Sequence, residues 1–500
     1  MKYFYVLFLL FIAGLMPGGY VVAQDQGLLS CNCSEIGIDS TWAESGNVIC
    51  YKIRVDQTFD KRENGKITLA AIYAKRTGSK DAGPLLYLHG GPGLSTLSNA
   101  KRYLDSKDWK RLREEHDLIM FDYRGTGFSG PSVCENILDS LMSFKKTNPS
   151  PGAYQKKELE LYLQCRNTLA GHNMDINSFN SVQMAADADA IREALHIKDW
   201  NVYGVSYGTM VGLHYIRSFP AHLRSVVLDS PFPPNASSFD FVNTMNESLS
   251  YMQERLLQDS LTAKKFPGII NDFSVTAARL NKTPVKVAGM DFTGEDFAWA
   301  MLMSFYDTKL VHLIPLALQE FSGGNDLLLS IWVEHLSGRE RHGKPNPIQG
   351  ALITCYECKP RKQEDSPDSL EAKYPYLASL SGKAFMNLCF QFRPEGPGDA
   401  YFEAVKSDLP VLVIGGEFDP GTPPSYGRFA VQGLTNFTLI AVPNASHAAM
   451  HYNDCSFNLV RSFLQNPARK PDTRCLENIE KLKFATKDLG EELRKVIKKK

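Results

Sequence analysis

"NVYGVSYGTM", residues 201–210, sets one serine, Ser206, between Gly204 and Gly208 at the end of an apolar run. A strand that turns abruptly into a helix forces its hinge residue into sparsely populated backbone space and crowds the residues two positions away. Glycine relieves that crowding. Residues 200–205 read as a short buried strand and 210–219 as a helix stopped by Pro220, so the serine falls at the junction. A hydroxyl held there stands exposed beside a helix N-terminus, which is where a strand-to-helix elbow presents a nucleophile.

The flanking sequence supplies the sheet that such an elbow needs. "GPLLYLHG" (83–90), "HDLIMFDYRG" (116–125) and "RSVVLDS" (224–230) read as further buried strands. Between the second of these and the serine strand, "SVQMAADADAIREAL" (181–195) repeats Met184, Ala188, Ile191 and Leu195 at helical spacing. Short aliphatic runs alternating with amphipathic helices predict an α/β fold with a mostly parallel sheet flanked by helices. After "DSPFPPN" (229–235) the alternation stops, and residues 235–408 read as a mainly helical inserted cap. Strand character resumes at "LPVLVIGGEFD" (409–419) and "FTLIAVPNASH" (437–447). The core therefore divides into 24–234 and 409–475, and "KDLGEELRKVIKKK" (487–500) ends a charged tail, 476–500, expected to be solvated.

A chain of 500 residues, 43% hydrophobic, can bury a sizeable core. Lys plus Arg and Asp plus Glu number 55 each, so the global charge predicts no nucleic-acid partner. Lys2, an apolar stretch over 3–16, and Val21 and Ala23 before a cleavage position read as a signal peptide, residues 1–23, and imply a secreted or periplasmic protein. No later run of eighteen apolar residues follows, so no stable membrane insertion is expected after signal cleavage. "LLSC" (28–31) loosely matches a lipid-attachment signal at Cys31 but stands beyond "QDQG", too far from the apolar run. Ten cysteines in an exported chain predict disulfides. The expected pairs are Cys134–Cys165, Cys355–Cys389 and Cys455–Cys475, with Cys50 joined to Cys31 or Cys33. "CYEC" (355–358) has no second Cys or His pair at ligand spacing, so neither a metal nor another cofactor is expected.

A serine hydroxyl attacks only with a base in hydrogen-bond reach and a third group fixing the base's tautomer. On this architecture the acid and then the histidine follow the serine in the chain. "VLVIGGEFDPGTP" (411–423) offers Asp419 just past a strand, with Glu417 as rival. His447 follows the next strand. His451 stands four residues on, but Ala448 occupies the place where a zinc peptidase needs glutamate, which argues against metal. The oxyanion formed on attack needs backbone N–H donors. The residue after the nucleophile, Tyr207, supplies one, and Gly91 in "HGGPG" (89–93) supplies the other.

"HGGPG", "DYRGTGFSG" (122–130), "GVSYGT" (204–209) and "FDPGTP" (418–423) occur in an order and spacing that resemble the proline iminopeptidase and tripeptidyl aminopeptidase family of α/β-hydrolases. The resemblance covers roughly residues 50–475, and the Cys455 to Cys475 ending looks like the secreted tripeptidyl aminopeptidase branch. It implies Ser206 as nucleophile, Asp419 as acid, His447 as base and the Gly91 and Tyr207 amides as oxyanion hole. It also implies a secreted serine aminopeptidase that releases one to three residues from peptides with a free N-terminus through an acyl-enzyme. Two positions depart from the pattern: many relatives have glutamine at the second place of "DYRGTG", and glycine often stands beside the histidine in "NASHAAM" (444–450). An exopeptidase must also bind the substrate ammonium, and a buried carboxylate does so through a charge-assisted hydrogen bond. Glu357 is the expected residue because relatives carry a similar "C-x-E" element, with Glu247 and Glu295 as fallbacks. The alternative is a carboxylic-ester hydrolase on the same scaffold, which needs no ammonium anchor.

Overall fold

The apolar runs pair into one nine-stranded sheet: β1 (Leu28–Ser30), β2 (Val48–Thr58), β3 (Lys61–Ala74), β4 (Leu85–Leu88), β5 (Leu118–Phe121), β6 (Trp200–Val205), β7 (Leu223–Asp229), β8 (Val411–Gly416) and β9 (Phe437–Val442). Their spatial order is β1-β2-β3-β5-β4-β6-β7-β8-β9. This computed structural model describes residues 27–498 except 60, 132, 237–240, 338–344, 359–365 and 393, and the expected leader lies outside the described residues. From β5 onward every neighbouring pair is parallel, whereas β1–β2, β2–β3 and β3–β5 are antiparallel.

Strands covered on both faces bury every residue, as β4, β6 and β8 do. Alternation then divides their side chains between two cores. Leu86, Leu88, Val202, Val226 and Val413 pack on one face, and Leu85, Tyr87, Tyr203, Val227 and Ile414 on the other. The long β2–β3 hairpin obeys the same rule: Ile67, Leu69 and Ala71 join the first core, and Ala70, Ile72 and Ala74 the second.

Among its described residues the inserted stretch is mainly helical, with one small hairpin, Val285–Val287 against Met290–Phe292. Helices Val242–Leu257, Ile269–Lys282, Gly294–Tyr306, Ile314–Ser322 and Asp326–Ser337 build a third core around Phe273, Phe297, Phe305 and Trp332. Phe418, from the loop after β8, is buried in that core and ties the cap to the sheet. Two further helices of the insertion, Pro347–Glu357 and Lys383–Phe392, instead send Ile348, Leu352, Ile353, Leu388 and Phe392 into the first sheet core. The charged tail differs from a solvated end, because Leu489 and Leu493 of helix Leu489–Lys498 are buried in the cap core. Its charges sit on one face and its leucines on the other, a helical period that net charge alone conceals.

Four disulfides form: Cys33–Cys50, Cys134–Cys165, Cys355–Cys389 and Cys455–Cys475. The open choice at Cys50 thus resolves to Cys33. No helix among the described residues is long and apolar enough to cross a membrane.

Candidate active site

Ser206 is the one residue of 200–216 that is not buried. It has φ 55° and ψ −125°, between β6 and helix Tyr207–Ser218. A non-glycine residue held at positive φ stores of order 1–3 kcal/mol, which the surrounding structure must offset. The offset is visible in backbone bonds: the Ser206 N–H donates to Asp229 O at 2.9 Å, and Ser206 O accepts from the Thr209 hydroxyl at 2.5 Å. The flanking glycines are required by contact. A Cβ on Gly208 would stand 2.1 Å from Leu88 O, and one on Gly204 would stand 2.7 Å from Gly208 O. The end of β4 therefore lies directly against the elbow, and a Cβ on Gly90 would come 3.0 Å from that of Ser206.

Asp419 and His447 come together from the loops after β8 and β9. His447 Nδ1 lies 2.7 Å from Asp419 Oδ2. Asp419 is fully buried, and the His447 side chain is 19% exposed. Asp419 Oδ1 accepts the N–H groups of Gly421 (3.0 Å) and Thr422 (2.9 Å), while the Thr422 hydroxyl donates to Oδ2 at 2.7 Å. With Nδ1 engaged, the imidazole is oriented so that Nε2 is left for other chemistry. The Tyr306 ring packs edge-on against His447, centroids 4.8 Å apart. Burial pushes the Asp419 carboxyl upward, but the His447 charge, its hydrogen bond and the Thr422 donors bring it below the usual aspartate value. Burial pulls His447 down, and the Asp419 charge and hydrogen bond, helped by Asp229, raise it above the usual histidine value. The rival acid Glu417 is engaged elsewhere, accepting the Asn444 N–H at 3.2 Å and pairing with Arg255 at 3.3 Å.

The "HGGPG" loop meets the elbow from the other side. Gly91 has φ 129°, and the loop is fixed by Tyr123, whose hydroxyl donates to His89 O at 3.1 Å, and by the Asn346 N–H, which donates to Gly93 O at 2.7 Å. Tyr207 begins the elbow helix with its side chain buried and its hydroxyl 2.8 Å from Ser181 Oγ. Glu357 lies behind Tyr207, in the interior. It is fully buried, and its Oε1 accepts the Ser181 N–H and, at 3.4 Å, the Tyr207 hydroxyl. Burial raises its carboxyl to about 7 against the opposing hydrogen bonds of Tyr401, Ser181 and Tyr207. Of the fallbacks, Glu295 is exposed on the first turn of Gly294–Tyr306. Glu247 is half-buried beside the acid loop: it accepts the Ser425 hydroxyl at 2.6 Å, and its neighbour Ser248 donates to Asp419 O at 2.9 Å. Among the described residues no group of three or more His, Cys, Asp or Glu is placed to hold a metal ion.

The α/beta hydrolase fold model matches residues 83–310, and the model described as TAP-like protein matches 374–475. A tripeptidyl aminopeptidase of Streptomyces lividans is 27% identical over 431 residues, 80% of this chain and 79% of that protein. The serine protease Hip1 of Mycobacterium tuberculosis is 30% identical over 467 residues, 84% of this chain and 85% of its own. The chain belongs to the tripeptidyl aminopeptidase-like family of α/β-hydrolases. It is a serine hydrolase of the peptidase kind. A solved proline iminopeptidase from Mycobacterium smegmatis is 16% identical, with a TM-score of 0.39 over 83% of this chain and 98% of that one.

The two departures from the tripeptidyl aminopeptidase-like pattern both have a structural reading. Ala448, beside His447, has φ 57°, the left-handed region that glycine enters without steric cost. The three N–H groups that follow His447 are hydrogen-bonded, which holds the alanine in that conformation. In "DYRGTG" the second place is Tyr123, whose hydroxyl holds His89 O of the "HGGPG" loop at 3.1 Å, and the next residue, Arg124, pairs with Asp187. Thr422 and Tyr306 escaped the sequence reading. Thr422 had a signal in its position three residues after Asp419 within "FDPGTP", as hydroxyl residues cap such turns. Tyr306 had none, since it arrives from the cap.

Proposed function

We propose that this protein is a secreted serine aminopeptidase that removes one to three residues from peptides with a free N-terminus. In this reading the Ser206 hydroxyl attacks the carbonyl carbon of the scissile bond, and His447 Nε2 takes its proton. The oxyanion draws on the N–H groups of Gly91 and Tyr207, each such donor being worth about 2.7–4 kcal/mol in the transition state. His447 then passes its proton to the leaving amine, and the acyl-enzyme on Ser206 is hydrolysed by water. The observation that carries the reading is the 2.7 Å bond from His447 Nδ1 to a fully buried Asp419 whose two oxygens are held by three further donors. That arrangement fixes the imidazole's tautomer and favours the imidazolium formed during attack.

For the substrate ammonium, Glu247 fits better than Glu357. Glu357 is sealed behind Tyr207 with an N–H already on it, whereas Glu247 keeps some exposure next to the acid loop. Four disulfides support folding in an oxidising compartment. The test is mass spectrometry of a mixed peptide digest incubated with the protein, with free and with acetylated N-termini. Trimming of the free peptides alone is expected. Equal cleavage of both sets, or of neither while simple esters are hydrolysed, would overturn the aminopeptidase reading.

A further inference from the structure

The strand between the one carrying Ser206 and the one leading to Asp419 is β7; its last residue, Asp229, and the residue that follows it, Ser230, are buried, polar and unused by the mechanism above. Their backbone stitches the three strands together: Asp229 O accepts the Ser206 N–H at 2.9 Å, and the Ser230 N–H donates to Ile414 O of β8 at 2.7 Å. Their side chains turn to the loop after β9. Ser230 Oγ accepts the Ala448 N–H at 2.9 Å, Asp229 Oδ1 the Ala449 N–H at 2.8 Å, and Asp229 Oδ2 the Met450 N–H at 2.9 Å. The Tyr203 hydroxyl, from the strand that carries Ser206, donates to Asp229 Oδ2 at 2.8 Å.

Three consecutive N–H groups immediately after His447 are thus received by the side chains of two residues, and one of these, Asp229, also takes the Ser206 N–H on its backbone carbonyl. The donor pattern explains why the residue is aspartate. Both side-chain oxygens face N–H groups, so an asparagine would turn its amide N–H₂ against one of them. A buried carboxylate is costly unless its lone pairs are satisfied, and here each oxygen has a strong donor. Ser230 itself sits at φ 54°, a strained position over-determined by these bonds.

We infer that Asp229 and Ser230 are positioning residues of the catalytic apparatus, a strap that sets the His447 loop at a fixed height and distance relative to the Ser206 elbow. The inference rests on the proposed roles of Ser206 and His447. Asp229 acts on the imidazole through the loop's backbone and through its charge, and it touches no substrate. The titratable groups around His447 are Asp419, Asp229 and Tyr306. Those around Asp229 are Tyr203, Tyr87, His451 and His447.

The experiment compares wild type, Asp229→Asn and Ser230→Ala in the full chain. Three readouts are taken: kcat and KM on a peptide p-nitroanilide with a free N-terminus, the rate of Ser206 labelling by a small fluorophosphonate, and the pH profile of kcat. For Asp229→Asn we expect kcat and labelling to fall by about 10–100-fold, the size of effect that follows removal of groups orienting the side chains of metal sites, with KM changed less than about twofold. Its acidic limb should move to lower pH, because the imidazolium loses a neighbouring anion. Ser230→Ala should lower kcat and labelling severalfold with KM and the acidic limb unmoved. If Asp229→Asn fails to fold, Ser230→Ala decides. Wild-type kcat and labelling in the folded variants, whatever happens to Tm, would overturn the inference while leaving Ser206 as nucleophile intact. Undiminished labelling of a Ser206→Ala protein would instead overturn the reading on which it rests.

Discussion

Arg124 and Asp187 form a two-point ion pair, Nε to Oδ2 at 2.8 Å and Nη2 to Oδ1 at 2.7 Å, with both side chains almost wholly buried. The pair joins the "DYRGTG" loop to helix Ser181–Ala194, which leads into the serine strand, and Arg124 also donates to Ser178 O at 3.0 Å. Removing one partner strands a charge in the interior, at a cost of roughly 3–5 kcal/mol. Arg124→Ala or Asp187→Ala should therefore lower the urea midpoint sharply, and the double variant Arg124→Met/Asp187→Leu should recover much of the loss. A single variant within about 0.5 kcal/mol of wild type, the usual range for an exposed position, would contradict the burial argument.

The elbow makes a sharper steric claim. Because a Cβ on Gly208 would stand 2.1 Å from a backbone oxygen of β4, Gly208→Ala must move either the strand or the serine. Overpacking of this kind typically costs about 1–3 kcal/mol, and activity should be lost even where the protein folds, since Ser206 leaves its place. Gly152→Ala is the control. It meets no atom within 4 Å in helix Pro151–Gly171, so circular dichroism and turnover should stay at wild-type values.

How much of this was legible in the sequence depends on the range of the interactions concerned. Ser206, its two glycines and the strands around it are local: an apolar run, a turn and a helix within about twenty residues, each with its own signature. Asp419 and His447 were legible because they follow strands, and chain order on this fold is fixed. The β2–β3 hairpin carried weaker signals, since β3 mixes Lys, Arg, Glu and Asn with its aliphatic residues and one edge strand pairs antiparallel. What joins distant segments left no local trace. Asp229 looks like the polar end of a strand until the 448–450 backbone arrives 220 residues later, and Glu357 reads as a buried anchor for a substrate ammonium until helix Pro347–Glu357 is seen to pack into the sheet core. The tail's leucines are hidden in the same way, by a partner surface that only the cap supplies.

Thr422 makes a prediction that separates orientation from chemistry. It gives Asp419 both a backbone N–H and a hydroxyl bond, and that hydroxyl lies 3.3 Å from His447 Nδ1. Thr422→Val keeps the shape and the N–H but removes the hydroxyl, and a lost hydrogen bond to a charged group is worth about 1.5–3 kcal/mol. The expected result is a fall in kcat of about 10–100-fold, by the relation of 1.4 kcal/mol to each tenfold, at nearly constant KM. Thr422→Ser should restore most of it. Steady-state kinetics of the two variants decide the matter, and equal rates in both would remove the hydroxyl from the mechanism.

The acid–base pair proposed above, Asp419 and His447, gives a pH dependence whose sign follows from its surroundings. Asp419 and Asp229 hold His447 above its ordinary value despite burial, so the imidazolium persists to higher pH than in an unperturbed histidine, whose pKa is about 6.5. A base must be neutral to take the serine proton, and the acidic limb of kcat/KM should accordingly have its midpoint above about pH 6.5. Asp419→Asn removes the largest raising influence and moves that limb to lower pH, while cutting kcat by about 10⁴, the effect of a wrongly presented imidazole in other triads. Stability follows the same linkage. The raised His447 contributes stability that is complete below about pH 6.5 and is lost as pH rises through its folded value, and the lowered Asp419 contributes stability that is present above about pH 3.9 and lost as pH falls through its own. The difference in unfolding free energy between wild type and Asp419→Asn should thus be widest between about pH 4 and 6.5, measured by urea titration at a series of pH values. A flat kcat/KM from about pH 5 to 8, across the whole range in which a histidine base titrates, would exclude His447 as the base.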